Sequence, residues 1–256
     1  MKTAELENLF RLDGRVAIVT GGSRGIGRAI AEAYALAGAR VVVASRKAEA
    51  CDETVSAIEA GGGVAIGVAT HMGNLDEVER LVTTTVERFG GVDVLVNNAA
   101  NALAQPFGQI TPDAWDKSFG VNLRGPVFLM QHALPHLEVS PHAAIINVSS
   151  AGAFLFSAGI HMYAAGKAAL LAYTRSLAAE LAAKQIRVNA IAPGTFDTDM
   201  VRNNPPKVQD AMAKAALLGR AAHPNEMVGL ALFLASDASS FVTGATINID
   251  GGLVPR

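Results

Sequence analysis

Arg15-Val16-Ala17-Ile18-Val19-Thr20 is a short apolar run, and Gly21-Gly22-Ser23-Arg24-Gly25-Ile26-Gly27 follows it directly. An apolar run of this length, ended by a turn signal, is typical of a buried β-strand. A helical pattern then continues through Ala37, and a second apolar run follows as Arg40-Val41-Val42-Val43-Ala44-Ser45. Strand, glycine-rich turn, helix and strand make a βαβ unit, so the two strands must be parallel and the crossover right-handed.

The same alternation continues to the end of the chain. Five more strand-like runs occur at 64–68, 92–97, 144–148, 187–191 and 246–249, and most are separated by helical patterns at 76–89, 112–123 continuing to 137, 164–183 and 225–234. This order predicts a single-domain α/β fold over residues 1–256: a Rossmann-type, doubly wound parallel sheet of about seven strands with helices on both faces. The stretch at about 195–220 lacks strand periodicity and follows a strand, which predicts a lid over a substrate site.

Composition excludes several classes of function. The chain has 256 residues, 50% of them hydrophobic, and a formal net charge of −2, which gives no electrostatic footprint for nucleic acid or an anionic membrane. The single cysteine, Cys51, excludes an internal disulfide framework and fits a reducing compartment. With no apolar leader or long apolar run, we expect a cytoplasmic protein without a nucleic-acid or membrane partner. The C-terminal residues 253–256 are either native or a remnant of a cleavable tag, and no function is assigned to them.

The glycine turn predicts a nucleotide site. Gly21 lets the chain turn tightly, Gly25 allows close approach to a pyrophosphate, and Gly27 lets the following helix pack on the sheet. The helix start supplies free N–H groups and a positive dipole end. The spacing is looser than the usual G-x-G-x-x-G fingerprint, so the prediction rests on the position of the turn between the first strand and the first helix.

The residues after the second strand bear on which nucleotide binds. An acidic residue there would accept a hydrogen bond from the ribose 2′-hydroxyl of NAD, whereas an arginine can accommodate a 2′-phosphate. Here Arg46 and Lys47 take that place, and Arg24 lies in the glycine turn itself. We therefore predict NADP(H) as the cofactor. The alternative is that these residues form a solvated basic turn.

Tyr163 and Lys167 lie four residues apart in a helical pattern, so they share one helix face. Lowering a tyrosine pKa from about 10 to about 7 requires roughly 4 kcal/mol of preference for the phenolate. An ammonium about 4 Å away supplies roughly that amount only in a partly shielded cleft. The pair alone is also a spacing that any helix can carry by chance.

The joint order of several motifs resembles the short-chain dehydrogenase/reductase family, in its shorter, "classical" size and its NADP(H)-using, carbonyl-reductase-like and 3-oxoacyl-carrier-protein-reductase-like members. The resemblance covers nearly the whole chain, from about residue 12 to 252. The motifs that carry it are Thr20–Gly27, Asn97-Asn98-Ala99-Ala100, Asn122, Ser150, Tyr163-x-x-x-Lys167 and Pro193-Gly194-Thr195-Phe196-Asp197-Thr198.

This resemblance implies residue roles. Tyr163 would be the proton donor, Ser150 the substrate-orienting serine, Lys167 the residue that lowers the tyrosine pKa and binds the nicotinamide ribose, and Asn122 the holder of a relay water. The implied cofactor-binding residues are Gly21, Ser23, Arg24, Gly25, Ile26, Gly27, Arg46, His71, Met72, Asn98, Tyr163, Lys167, Pro193, Gly194, Phe196 and Thr198. No residue is predicted to bind a metal, because no histidine has metal-ligand spacing near acids or thiols.

Three positions depart from the family pattern. Ala100 stands where glycine is usual, and its methyl group narrows the pocket near Asn101. Gly166 replaces the more frequent Ala or Ser and is expected to loosen the helix start. His71 stands where an Asp commonly contacts adenine, and it either stacks on or hydrogen-bonds the adenine or is a surface loop histidine.

The resemblance implies an NADPH-dependent oxidoreductase that interconverts a carbonyl and a secondary alcohol. Phe154, Phe156, Ile160 and Met162 predict a mostly apolar substrate side for a small or medium compound, although each also suits core packing. The alternative is a 3-oxoacyl-carrier-protein reductase. Against that alternative, residues 134–142 hold no Lys or Arg to dock an acidic carrier, leaving Lys184 as one basic candidate.

Two further expectations complete the prediction. A non-catalytic NADP-binding scaffold is a remote alternative, because such proteins typically lose the tyrosine or lysine retained here. A homotetramer is expected from the family and from apolar faces on the helix after Tyr163 and at 241–252, which need partners.

Overall fold

The computed structural model describes residues 2–156 and 158–254 and contains a seven-stranded parallel sheet in the order β3-β2-β1-β4-β5-β6-β7. The strands are β1 Val16–Thr20, β2 Arg40–Ser45, β3 Val64–Ala69, β4 Val94–Asn97, β5 Ala144–Val148, β6 Arg187–Pro193 and β7 Thr246–Ile249. The α-helices are α1 Thr3–Asn8, α2 Gly25–Leu36, α3 Ala48–Ala60, α4 Leu75–Phe89, α5 Pro112–Phe119, α6 Gly125–Leu137, α7 His161–Leu181, α8 Asp199–Arg202, α9 Pro206–Lys214 and α10 Val228–Ala235.

The predicted Rossmann-type fold and all seven strands are confirmed. Helix α3 was not predicted, because its buried face is only Cys51, Thr54 and Ile58 and gives weak apolar periodicity. The predicted helix at 225–234 begins as a 3₁₀ turn, Pro224–Met227, before α10. The predicted run from 112 to 137 is interrupted by a π-helical turn, Gly120–Arg124.

The sheet is covered on both faces, which explains why its strands read as nearly continuous apolar runs. In β1, Ala17 and Val19 pack in one hydrophobic cluster with α2 and α10, while Ile18 between them packs in the other with α4 and α6. Alternate residues of one strand therefore serve separate cores on opposite faces of the sheet.

The chain changes direction across the sheet at β1. It proceeds from β1 outward through β2 to β3, then returns to place β4 on the other side of β1. Because all strands are parallel, their carboxyl ends share one edge, and a crevice forms there between β1 and β4. The predicted functional motifs follow these carboxyl ends.

A buried polar chain connects the strands beside this crevice to α7. Asn97 Nδ2 donates to Asn147 Oδ1 at 2.8 Å, Asn147 Nδ2 donates to Thr174 Oγ1 at 3.0 Å, and that hydroxyl donates to the Leu170 carbonyl at 2.8 Å. Buried amides of this kind specify orientation, because leaving any of them unpaired costs about 1–3 kcal/mol. This series of buried hydrogen bonds thus fixes how α7 lies against β4 and β5.

The segment predicted as a lid contains two helices, α8 and α9. Helix α9 has no buried residue, and Thr195 Oγ1 donates to the Met212 carbonyl at 3.0 Å at its end. The segment is therefore held mainly by polar contacts and by its two ends. Separately, no helix within 2–156 and 158–254 combines the length and apolarity needed to cross a membrane.

Candidate active site

The glycine turn forms a cradle at the carboxyl end of β1. Gly21 and Gly25 adopt φ angles of 65° and 53°, which favour glycine. A Cβ atom on Gly27 would lie 2.2 Å from the Gly21 carbonyl oxygen, and one on Gly25 would lie 3.0 Å from Thr198 Cγ2. Ile26 is partly buried against the core cluster that holds α2 in place. The turn thus carries no side chain at the positions that border the start of α2, whose N–H groups suit a pyrophosphate.

Thr20 and Asn98 connect the two strands that border the crevice. Asn98 Nδ2 donates to the Thr20 carbonyl at 2.8 Å, and Thr20 Oγ1 accepts hydrogen bonds from the Asn98 and Ala99 N–H groups at 3.0 and 3.1 Å. Asn98 therefore supports the crevice from within, and its side-chain amide is engaged with the backbone of β1.

The rim after β2 carries the basic residues. Ser23 Oγ donates to Ser45 Oγ at 2.8 Å, which ties the glycine turn to the end of β2. Arg46 follows immediately and is exposed, and within the described residues its guanidinium forms no ion pair. Arg24 is also exposed, but its Nη1 pairs with Asp199 Oδ2 at 3.0 Å. The two arginines predicted to face a phosphate thus differ: Arg46 is free to do so, and Arg24 is already paired.

His71 and Met72 lie in the short loop between β3 and α4. The Gly73 N–H donates to His71 Nδ1 at 3.1 Å, so the ring is oriented by its own loop. Met72 is buried, with its side chain in the core cluster beneath α4 and α6. Any contact of Met72 with a cofactor must therefore come from its backbone, whereas His71 presents a half-buried ring.

The segment after β6 continues the crevice. The Gly194 N–H donates to the Ile249 carbonyl at 3.0 Å, which anchors the segment just after Pro193. Phe196 is buried in the core and forms an isolated parallel bridge with Ala222. Phe196 is thus available to a nicotinamide through its backbone, while Thr198 presents a side chain beside Gly25.

Ser150 and Tyr163 meet on the other side of the crevice. Tyr163 lies in the first turn of α7 and is buried, and Ser150 follows β5 with its Oγ accepting from the Gly152 N–H at 3.1 Å. Ser149 is different, because its Oγ donates to the Lys167 carbonyl at 2.9 Å and is buried. This geometry favours Ser150 over Ser149 as the serine that faces a substrate.

The pKa of Tyr163 differs from the expectation for a tyrosine activated by lysine. Burial raises the Tyr163 pKa above its ordinary value, and the interaction with the Ser150 hydroxyl lowers it by less. Lys167 Nζ lies 5.8 Å from the centroid of the Tyr163 ring and donates to the Val148 carbonyl at 2.7 Å. Burial lowers the pKa of Lys167 to about 8. Desolvation of the buried phenol therefore outweighs its interaction with Ser150, and the phenol keeps its proton.

Asn122 lies in the π-helical turn with its side chain fully buried. Its Nδ2 donates to the carbonyls of Asn101 at 2.7 Å and Ser118 at 2.9 Å, and its Oδ1 accepts from the Asn101 N–H at 3.1 Å. A Cβ on Gly166 would lie 3.2 Å from the Asn122 Cβ. Gly166 therefore allows close packing of α7 on the π turn.

The four residues predicted to make the substrate side apolar differ in exposure. Phe154 and Phe156 are exposed, Ile160 is half-buried, and Met162 is buried in the protein. His161 packs edge-to-face on Phe107, with ring centroids 6.1 Å apart, and its Nε2 is buried without a hydrogen-bond partner among the described residues. The region therefore contains exposed aromatic surface and an imidazole nitrogen, His161 Nε2, that forms no hydrogen bond with the described residues.

Two contributors were missed by the sequence argument. Asn101 holds the Asn122 amide through its backbone, and only its place directly after the Asn97–Ala100 motif could have indicated this. Asp199 is the partner of Arg24 from 175 residues away, and no local pattern indicates that contact. Among residues 2–156 and 158–254, no three His, Cys, Asp or Glu side chains cluster to hold a metal ion.

Comparison with known proteins places this geometry in a family. The family profile described as "Enoyl-(Acyl carrier protein) reductase" matches residues 21–254. Human "Dehydrogenase/reductase SDR family member 4" is 36% identical over 248 residues, covering 96% of this chain and 89% of that protein.

Two solved structures are similar over nearly their full lengths. A dehydrogenase/reductase from Sinorhizobium meliloti 1021 has a TM-score of 0.94 at 36% identity, covering 98% of this chain and 100% of that one. A 3-oxoacyl (acyl-carrier-protein) reductase from Agrobacterium tumefaciens C58, with NADP bound, has a TM-score of 0.90 at 37% identity, covering 96% and 97%.

The chain is an oxidoreductase: it belongs to the classical short-chain dehydrogenase/reductase family. Enzymes of this family act on small molecules with a nicotinamide cofactor. The glycine cradle, the Thr20–Asn98 junction and the buried lysine beside a tyrosine are consistent with such a cofactor in the crevice.

Burial of the Lys167 ammonium should lower the free energy of unfolding of the protein. We expect Lys167→Met to increase the free energy of unfolding at pH 7 by about 1–3 kcal/mol, since each pKa unit corresponds to about 1.4 kcal/mol and the bond to Val148 is lost in exchange. The gain should be full below pH 8 and should shrink as the pH rises from 8 towards 10.5, because the lysine pKa is lowered in the folded state. Urea unfolding of both proteins at several pH values measures this. A variant that is less stable than the wild type at pH 7 would contradict it.

Proposed function

We propose that the protein is an NADP(H)-dependent reductase of small or medium carbonyl compounds, interconverting a ketone or aldehyde and the corresponding alcohol. The observation that carries the proposal is that Ser150, just after β5, lies beside Tyr163 and the buried Lys167, which belong to the first two turns of α7. These residues sit at the same sheet edge as the glycine cradle. The nicotinamide, when bound, supplies the hydride for reduction.

In this proposal each residue has a distinct task. Tyr163 donates its proton to the substrate oxygen, for which a protonated phenol is the required resting form. Ser150 donates a hydrogen bond to the same oxygen and stabilises negative charge as it develops. Lys167 stabilises the phenolate left behind and binds the cofactor ribose. Asn122, held rigidly by Asn101 and Ser118, fixes the turn that supports a relay water.

The remaining expectations belong to the same proposal. The chain forms one domain over residues 1–256, and 195–220 is the substrate lid. The cofactor is held by the glycine cradle, by Asn98, His71 and Met72, and by the segment from Pro193 to Thr198. The single buried Cys51 fits a reducing, cytoplasmic location.

The choice of NADP(H) rests on the rim after β2. No carboxylate follows β2 at 46 or 47, and exposed Arg46 is free to pair with a 2′-phosphate. NADP bound to the related Agrobacterium reductase gives independent support.

A carrier-linked substrate remains the second candidate, since the same Agrobacterium relative is a 3-oxoacyl (acyl-carrier-protein) reductase. Lys184, the basic residue considered for carrier docking, forms an ion pair with Glu138. The charge that an acidic carrier would need is thereby offset, which favours a free carbonyl compound. Comparing carrier-bound 3-oxoacyl substrate with a panel of free carbonyls tests the choice.

Tyr163→Phe should abolish carbonyl reduction while leaving NADPH affinity nearly unchanged, because it removes one hydroxyl from proton transfer and leaves the cradle intact. Ser150→Ala should lower kcat by about 10²-fold, and the double variant should lose little more than Tyr163→Phe, since both act on one transition state. Steady-state reduction assays measure kcat, and NADPH fluorescence titration measures the cofactor affinity. Ser149→Ala is the matched control, since that hydroxyl is hydrogen-bonded to the Lys167 carbonyl.

If Tyr163→Phe retained substantial activity, another group would supply the proton, and His161 would be the first to test.

Arg46→Asp should shift cofactor preference towards NAD by at least about tenfold, because a charge-assisted hydrogen bond of about 1.5–3 kcal/mol is replaced by repulsion. The ratio of kcat/KM for NADPH and NADH measures the preference. Lys47→Asp, one residue further along, shows how much of the effect is a general change of charge. A wild-type enzyme that used NADH as well as NADPH would refute the assignment.

We propose a homotetramer, supported by exposed aromatic side chains such as Trp115 on α5, Tyr173 on α7 and Phe241 before β7. Sedimentation velocity at micromolar concentration should give a single species of four chains. A stable monomer would contradict the proposal.

A further inference from the structure

Arg24 is already paired with a carboxylate of the lid. Its Nη1 lies 3.0 Å from Asp199 Oδ2, and Asp199 is the first residue of α8. Arg24 itself belongs to the glycine turn, where it immediately precedes α2. The ion pair therefore joins the cofactor cradle to the beginning of the lid.

The backbone around the pair holds it in place. Thr198, next to Asp199, contacts Gly25, next to Arg24, closely enough that a Cβ on Gly25 would lie 3.0 Å from the Thr198 methyl carbon. The two charged residues thus project from segments that are in van der Waals contact. The pairing follows from this packing as well as from the reach of a long side chain.

The neighbouring charges have partners of their own. Arg202 binds Asp197 through Nε–Oδ1 at 2.7 Å and Nη2–Oδ2 at 2.9 Å, and Arg28 Nε pairs with Glu32 Oε1 at 2.7 Å. Asp199 is therefore the carboxylate that Arg24 binds, and Arg24 is one of the two arginines proposed to face the phosphate.

We propose that Asp199 is a cofactor-specificity residue, which competes with the 2′-phosphate of NADP(H) for the Arg24 guanidinium. The inference rests on the proposed role of Arg24 in binding that phosphate. Because phosphate binding draws Arg24 away from Asp199, it also weakens one attachment of the lid. Asp199 thus lowers the affinity for NADP(H) but leaves the affinity for NAD(H) nearly unchanged.

The size of the effect follows from the exposure of the pair. Both side chains are substantially exposed, at 69% for Arg24 and 46% for Asp199, so solvent screens their attraction. Exposed pairs of this kind shift equilibria by about two- to fivefold. Removing the Asp199 charge should therefore strengthen phosphate binding by about that factor.

The test uses 2′,5′-ADP and 5′-AMP as probes, since they differ by the 2′-phosphate and involve no turnover. Isothermal titration calorimetry should show that Asp199→Asn binds 2′,5′-ADP about two- to fivefold more tightly than the wild type, with 5′-AMP affinity unchanged. Asp210→Asn is the matched control, because Asp210 lies in the same lid segment but pairs with Lys214 at 2.8 Å. Its affinity for both probes should equal that of the wild type.

The Arg24→Ala variant separates competition for Arg24 from a general electrostatic effect of removing the Asp199 charge. There, Asp199→Asn should have no effect on 2′,5′-ADP binding. An equal gain with and without Arg24, or an equal gain for both probes, would overturn the competition. If Arg24→Ala alone left 2′,5′-ADP affinity unchanged, the proposed phosphate role of Arg24 would fail first, which distinguishes the two ideas.

A structural readout completes the test. Amide hydrogen exchange in residues 199–214 should become faster when 2′,5′-ADP binds and should not change with 5′-AMP. In Asp199→Asn the segment should exchange faster before any probe is added. Exchange that is unaffected by both the substitution and 2′,5′-ADP would show that the pair does not attach the lid.

Discussion

The junction between Thr20 and Asn98 is the constraint on which the site depends. One hydroxyl accepts two backbone N–H groups from the chain after β4, and one side-chain amide binds the backbone at the end of β1. These bonds set the spacing of the two strands that border the crevice. Gly27 then brings α2 so close to the Gly21 carbonyl that no side chain fits between them. The cradle is thus shaped by backbone packing, and its polar side chains act on an already formed surface.

The opposite wall of the crevice contains a lysine whose burial costs free energy. Lys167 is almost completely buried, and its hydrogen bond goes to the carbonyl of Val148 at the end of β5. Tyr163 is buried beside it and holds its proton more tightly than a free phenol. For the proposed reaction, a phenol that keeps its proton suits the reducing direction. In the oxidising direction the phenol would first have to lose that proton, and the positive charge of a bound oxidised nicotinamide would favour the loss.

The sheet was predictable from sequence because both of its faces are buried, so that strands such as Val16–Thr20 consist almost entirely of apolar residues. Helix α3 was not predicted, because its buried face includes a cysteine and a threonine and so gives a weak apolar pattern. The direction of the shift in the Tyr163 pKa could not be predicted from its spacing to Lys167, because a sequence motif does not show how deeply a side chain is buried. The pairing of Arg24 with Asp199 depends on how β6 and its continuation return to the glycine turn, which only the folded chain shows.

The π turn at Gly120–Arg124 has a consequence for how the chain can change. Each residue of a helix rotates the following side chains by about 100°, and a π turn accommodates one residue more than an α-helical turn. Because the wider turn takes up the extra residue, Leu129 and Ala133 of α6 keep the orientation that buries them against the sheet. Loss of one residue here would restore a regular α-helix with that orientation kept, and would remove the turn in which the Asn122 side chain is buried. The extra residue therefore shapes the surroundings of Asn122 more than the packing of α6.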